Sequence, residues 1–154
     1  MSTTDLSLRA LLAYQTPNRY AQTLHDRDPE KVAELFTPDA YLHQVWGPVT
    51  GRADIARNYR DRFADWTDAT HWVANSVLTS VSEEEAKVRA FVVGLFFFVP
   101  DSSNGTTLYR GEYDFTLSWV ESDWQISTLF VSRHGLNGID LQESGYAPPP
   151  TDGR

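Results

Sequence analysis

Cysteine is absent from this chain, which excludes disulfides, a thiolate nucleophile and thiolate metal ligation. Lysine is scarce, present only as Lys31 and Lys87. Acids outnumber bases, 21 Asp and Glu against 13 Lys and Arg, and the formal net charge is −8. A polyanion-binding surface needs clustered Lys and Arg, so neither nucleic acid nor an anionic membrane is an expected partner. Long hydrophobic runs are missing too. The longest, residues 91–100, falls well short of the roughly 20 residues that span a bilayer. The opening "MSTTDLSLRALL" has no basic region followed by an apolar core, so it does not read as a signal peptide. A cytoplasmic protein is the expectation. Phosphate loops, dinucleotide glycine patterns and the G-x-S-x-G nucleophile motif are all absent. His25, His43, His71 and His134 lie scattered, with no spacing that puts ligands on one face, so no metal is expected. No cofactor is called for.

What the chain does have is aromatic residues: 5 Trp, 7 Tyr and 8 Phe in 154 residues. Such side chains fill cores and also line apolar ligand pockets. The length suits one domain. Its bounds are expected at residues 10–136, between an N-terminal tail, 1–9, and a C-terminal tail, 137–154, ending in the Pro-rich "APPPTDGR". Helical periodicity marks the first half. Thr16-Pro17 predicts a capped start for a helix carrying Tyr20, Ala21 and Leu24. Asp28-Pro29 predicts a second, short helix with Val32, Leu35 and Phe36 on one face. Ile55, Tyr59, Phe63 and Trp66 align on one side of a third. The stretch "AYLHQVWG" between the second and third helices reads as a strand, with Ala40, Leu42, Gln44 and Trp46 on one face and Tyr41 and His43 on the other. Four strands follow, "THWVANSVLTSV", "AKVRAFVVGLFFFV", "TLYRGEYDFTLSWV" and "WQISTLFVS", separated by "SEEE", "PDSSNG" and "ESD" turns. Helices in front of a β-meander predict an α+β class.

The stretch "NRYAQTLHDRDPEKVAELFTPDAYLHQVWGPVTGRADI" resembles the opening of nuclear transport factor 2-like proteins, in particular the SnoaL-like branch. Tyr20, Asp28, Leu35-Phe36, Asp39-Ala40, Gly51 and Ile55 carry the pattern, and "DWQIS" resembles the family's last strand. The likeness covers roughly residues 10 to 135. It implies a cone-shaped, curved antiparallel sheet packed against three N-terminal helices, an α+β barrel. It implies no single function, because isomerases, dehydratases, cyclases, epoxide hydrolases, dioxygenase small subunits and non-catalytic binders share the fold.

Within that resemblance, His71 in "THW" matches a cavity-facing His of dehydratase-like members and is the candidate acid/base. Tyr20 matches the oxyanion-donating Tyr of ketosteroid isomerase-like members. Tyr113 falls where those members carry a protonated Asp, and shares its face with Phe115. Gln44 stands where relatives keep a basic Asp or a water-positioning Tyr; an amide orients a substrate but takes no proton. The second His of the dehydratase-like pattern falls near Phe97, and its helix acid near Gln22, so both are replaced. Gln44, Trp46, Asn75, Tyr59, Phe63, Phe97 and Phe115 are the expected substrate-binding set. Trp72, Val88, Val92 and Phe96 take the other parity, an outer sheet face expected to pack a homodimer.

Three readings stay open. One is a small cofactor-independent isomerase, dehydratase or cyclase acting on a hydrophobic carbonyl-bearing metabolite. A second is a non-catalytic binder or a dioxygenase small-subunit-like protein. The third, an epoxide hydrolase-like enzyme, requires an Asp-Arg pair inside the cone, for which Asp114 with Arg89 or Arg110 is the available route.

Overall fold

The computed structural model describes residues 3–98 and 106–135. The "PDSSNG" turn and the Pro-rich tail lie outside the described residues. Helix α1 (Thr3–Asp26) precedes α2 (Pro29–Glu34), β1 (Phe36–Gln44), β2 (Gly47–Thr50) and α3 (Arg52–Asp65). Four long strands complete the fold: β3 (Trp66–Val81), β4 (Glu85–Phe98), β5 (Thr106–Val120) and β6 (Asp123–Gly135). They form a six-stranded sheet in the order β2-β1-β6-β5-β4-β3.

The α+β class and the cone with its N-terminal helices are as expected. Two details differ. The sheet is an open one, with β2 and β3 at its edges, rather than a closed barrel. One pairing, β1 with β6, is parallel, while the others are antiparallel. Register shifts occur within β3–β4 at Trp66/Asp68, Ala74/Val77 and Leu78/Ser80, and within β5–β6 at Thr116/Leu117. Such bulges bend and twist strands, which lets the sheet wrap around the helices.

Helix α1 does not start at Thr16-Pro17. It runs through Pro17, which forgoes one helical hydrogen bond because proline has no N–H. The segment expected as an N-terminal tail is helical from Thr3 and docked. The Arg9 guanidinium lies 3.9 Å from the Trp119 ring centroid, and the Arg9 carbonyl accepts from Trp124 Nε1 at 2.8 Å. About three turns further along, Arg19 grips Asp123 through two hydrogen bonds of 2.8 and 3.0 Å. The helix is thus tied to the β5–β6 turn at two points.

Helix α2 begins as its sequence predicts, with the Asp28 side chain accepting from the Lys31 N–H and Pro29 at the first position. Helix α3 buries Ile55, Tyr59 and Phe63. At its start Arg52 donates to the Phe36 carbonyl and to Gln125, joining β1 to β6. Between sheet and helices sits one core, with Tyr20, Phe36, Leu42, Ile55, Tyr59, Tyr113, Leu117, Trp124 and Leu129 among its fully buried members.

Strand β4 corrects the expected parity. Val88, Val92 and Phe96 point inward and are buried, whereas Phe91, Val93 and Phe97 are exposed on the outer face. Both faces of "AFVVGLFFFV" are apolar, so alternation could not say which one faces the core. Trp72 does lie on the outer face, 52% exposed. None of the helices among the described residues is long and apolar enough to cross a membrane.

Candidate active site

The open side of the cone holds a narrow cleft. Its walls are Tyr20 and Leu24 from α1, Gln44 from β1, Trp46 from the β1–β2 turn, Tyr59 from α3 and Trp66 and His71 from β3. Phe96 from β4, Tyr109 and Tyr113 from β5, and Val131 and Arg133 from β6 complete it. Its cavity volume is small, about 20 Å³. The rings therefore nearly fill the interior.

Four phenols dominate the polar chemistry. The Tyr20 and Tyr59 hydroxyls hydrogen-bond to each other. The Tyr109 and Tyr113 hydroxyls form a second pair. Tyr20 joins the two, its ring edge-on to Tyr113 with centroids 5.4 Å apart. Burial pushes all four pKa values up, chiefly because a phenolate would be desolvated. They stay neutral near pH 7. A hydroxyl pair uses one of its two protons internally, so each pair keeps one proton for a ligand oxygen.

His71 sits against Phe96 (ring centroids 5.1 Å) and Tyr109 (6.4 Å). Burial holds its imidazole down at about 4 from the usual 6.5, and the positive charge of Arg133 and then His25 adds to the effect. It is a neutral ring at physiological pH. Its Nδ1 is buried without a hydrogen-bond partner. An unpaired buried polar atom is costly, which makes this nitrogen a point where a ligand group fits.

Gln44 is buried and donates through Nε2 to Asn58 Oδ1 at 2.8 Å. Trp46 stands at the mouth, 38% exposed, tilted against Trp66 with centroids 6.2 Å apart. Two cations lie on its ring, Arg62 at 4.6 Å and Arg133 at 5.4 Å.

The structure thus brings His71, Tyr20, Tyr113, Gln44, Trp46 and Tyr59 together on one cleft. The other expected lining residues stand elsewhere. Phe63 and Phe115 are buried in the surrounding core without lining the cleft. Phe97 is on the outer face because β4 has the opposite parity. Asn75 is exposed and has a positive φ of 51°. It sits at the Ala74/Val77 register shift, so counting by twos from His71 fails there. His43 faces away from the cleft, as its parity predicts, and meets Tyr41 and Phe130.

Six further residues line the cleft: Leu24, Trp66, Phe96, Tyr109, Val131 and Arg133. Tyr109 continues the inward parity of Tyr113 and Phe115 and was legible from it. Arg133 lies near the end of β6 and continues the inward row of Leu129 and Val131. Its guanidinium lies 4.0 Å from the Tyr109 ring centroid and 5.3 Å from that of Phe96. The Asp-Arg pair required of an epoxide hydrolase-like site is not here. Arg89 does pair with Asp114 at 2.7 Å, but both groups are on the outer face. No Asp or Glu occurs among the cleft-lining residues. Among the described residues no group of three His, Asp or Glu side chains could hold a metal ion.

The family model described as "SnoaL-like domain" matches residues 13–129. A search of curated proteins finds no significant match. Among solved structures, a scytalone dehydratase-like protein from Novosphingobium aromaticivorans superposes with a TM-score of 0.76 at 20% identity, covering 86% of this chain and 89% of its own. A hexachlorocyclohexane dehydrochlorinase, LinA type 3 from Novosphingobium barchaimii, gives 0.71 at 19% identity, covering 96% and 100%. A further LinA structure gives 0.77 at 18% identity, covering 97% and 100%. At these identities the likeness establishes the fold.

Proposed function

The chain belongs to the SnoaL-like domain family, and from the chemistry of its cleft we propose that it is a small enzyme performing acid/base chemistry on a hydrophobic, carbonyl-bearing metabolite. The observation that carries this reading is a neutral imidazole, His71, with an unpartnered buried nitrogen, in the same apolar cleft as two pairs of neutral phenols. A proton acceptor and hydroxyl donors in a nearly dry site are the parts that enolisation needs.

In the step we envisage, His71 takes a proton from the carbon next to the substrate carbonyl. The C–H electron pair moves into a new C=C bond, and the carbonyl oxygen becomes an enolate oxyanion. Tyr20 and Tyr113 donate hydrogen bonds to that oxygen. Where the substrate carries a β,γ double bond, the enolate is conjugated with it, and the imidazolium returns its proton to the γ-carbon as the double bond shifts to α,β and the carbonyl re-forms, giving the conjugated isomer. Alternatively it protonates a β-hydroxyl, which leaves as water, giving dehydration. Gln44 orients the substrate, and Trp46, Trp66 and Phe96 cover it. The chemistry requires no cofactor. The proteins similar in fold include ones named as a dehydratase and dehydrochlorinases, both elimination enzymes, which supports the same class without naming this substrate.

Turnover of aryl β-hydroxyketones by wild type, His71→Ala and Tyr20→Phe tests the reading. Loss of rate in the variants supports it, and equal rates in all three would sink it. The small free volume of the cleft favours a second reading, a non-catalytic binder whose aromatic interior opens for its ligand. That reading expects tight ligand binding without turnover. We further propose that the exposed Trp72, Phe91, Val93 and Phe97 pack a homodimer through the outer sheet face, in the cytoplasm.

A further inference from the structure

The cleft has one full charge, and nothing described offsets it. Arg133 lies among Tyr109, Phe96 and Trp46, and the lining contains no carboxylate. Its surroundings desolvate it enough to lower its pKa. Arg62 adds a second guanidinium at the mouth, on the same Trp46 ring, and its Nε is buried without a partner. His71 is neutral, so it supplies no countercharge. All this occurs in a chain whose net charge is −8: acids are plentiful on the molecule yet missing from this wall. Ring faces stabilise a guanidinium only in part. A buried cation without an anion is the unfavourable half of an ion pair, and a planar guanidinium fork matches the two oxygens of a carboxylate.

We propose that the ligand of this cleft carries a carboxylate, held by Arg133, on a flat apolar body that inserts among Trp46, Trp66, Phe96 and Tyr109. The inference rests on reading this cleft as the substrate site and adds the substrate class: an aromatic or unsaturated oxo or hydroxy acid. A flat body is required because the walls are rings separated by little space. The carboxylate has a second effect. It offsets the positive potential that Arg133 places on His71, so the bound ligand makes His71 a stronger base.

The test compares benzoate with benzamide, two flat probes that differ in charge, by isothermal titration and by tryptophan fluorescence. Wild type is expected to bind benzoate about tenfold or more tightly than benzamide. In Arg133→Met the ratio should fall to near one. Arg133→Lys keeps the charge without the fork, and should retain part of the preference. In the imidazole NMR spectrum, benzoate should move the His71 titration upward and benzamide should leave it in place. Equal affinity for the two probes, no benzoate binding by wild type, or a preference that survives in a folded Arg133→Met overturns the proposal. Neither probe undergoes proton transfer, so the assay is independent of catalysis: His71→Ala should keep the benzoate preference even where it abolishes turnover.

Discussion

Arg133 and Tyr109 meet face on, the guanidinium carbon 4.0 Å from the centre of the phenol ring. What positions the ring is a glycine. Gly94 is the β4 partner of Tyr109 in the sheet register, and a methyl group at Gly94 would fall 2.1 Å from the Tyr109 ring. Glycine inside a strand commonly marks such a close approach. The ring lies across the bare backbone, stacks on Phe96 at 5.3 Å and presents its other surroundings to Arg133.

Gly94→Ala is therefore expected to displace Tyr109 while leaving the sheet paired. It should cost on the order of 1–3 kcal/mol in stability, the usual range for overpacking, and weaken ligand binding with it. Chemical denaturation together with a binding titration measures both. An unchanged midpoint and unchanged affinity would show that the contact is easily relieved.

The lowered pKa of His71 has a sign that can be checked. Its folded value is about 4, below the unfolded 6.5, so between these values the unfolded chain binds more protons. The contribution of His71 to stability is complete above pH 6.5 and is lost as pH falls toward 4. Its size is about 1–3 kcal/mol, set by the shift and reduced by the ring's partial exposure. Denaturation midpoints of wild type and His71→Gln across pH 4 to 7 should converge on the acid side. The acid limb of the ligand-free enzyme, seen in kcat/KM, should likewise lie nearer 4 than 6.5.

Removing a single phenol oxygen tests the donor pairs. Tyr113→Phe and Tyr20→Phe each delete one proton donor and leave the partner hydroxyl short of a bond. The expected cost is about 1–2 kcal/mol of stability. The expected loss in kcat is about 10- to 1000-fold, as for removal of an oxyanion donor, with little change in KM. A loss confined to KM would reassign these hydroxyls to ground-state binding.

The outer face gives a prediction about assembly. Trp72 pairs with Val93, and Ala74 with Phe91, across β3 and β4, so the exposed apolar residues are contiguous. Light scattering is expected to find a dimer, and Trp72→Glu with Phe91→Glu should give a folded monomer. A wild-type monomer at micromolar concentration contradicts the assignment.

Much of the architecture was legible because its signals are local. The helix faces of Val32 and of Ile55, Tyr59 and Phe63, the Asp28 cap and the alternation through Tyr113, Phe115 and Leu117 all follow from a fixed period. The rest failed where no such signal exists. Pro17 resembles a helix start, but tertiary anchors at Arg9 and Arg19 carry the helix across it. The four residues of β2 are too few to show a period. On β4 both faces are apolar. At Asn75 a bulge breaks the count. Arg133 carries no inward signal of its own, because a charged side chain near a strand end ordinarily points to solvent.

The central claim is that His71 is the base of a proton transfer in this cleft. Deuterium incorporation next to the carbonyl of an aryl oxo acid, followed by NMR in D₂O, measures that transfer without requiring the full reaction. Wild type should exchange the proton, and a folded His71→Ala should do so about 10²- to 10⁴-fold more slowly, the usual share of a positioned general base. Exchange at the same rate in both would contradict the account.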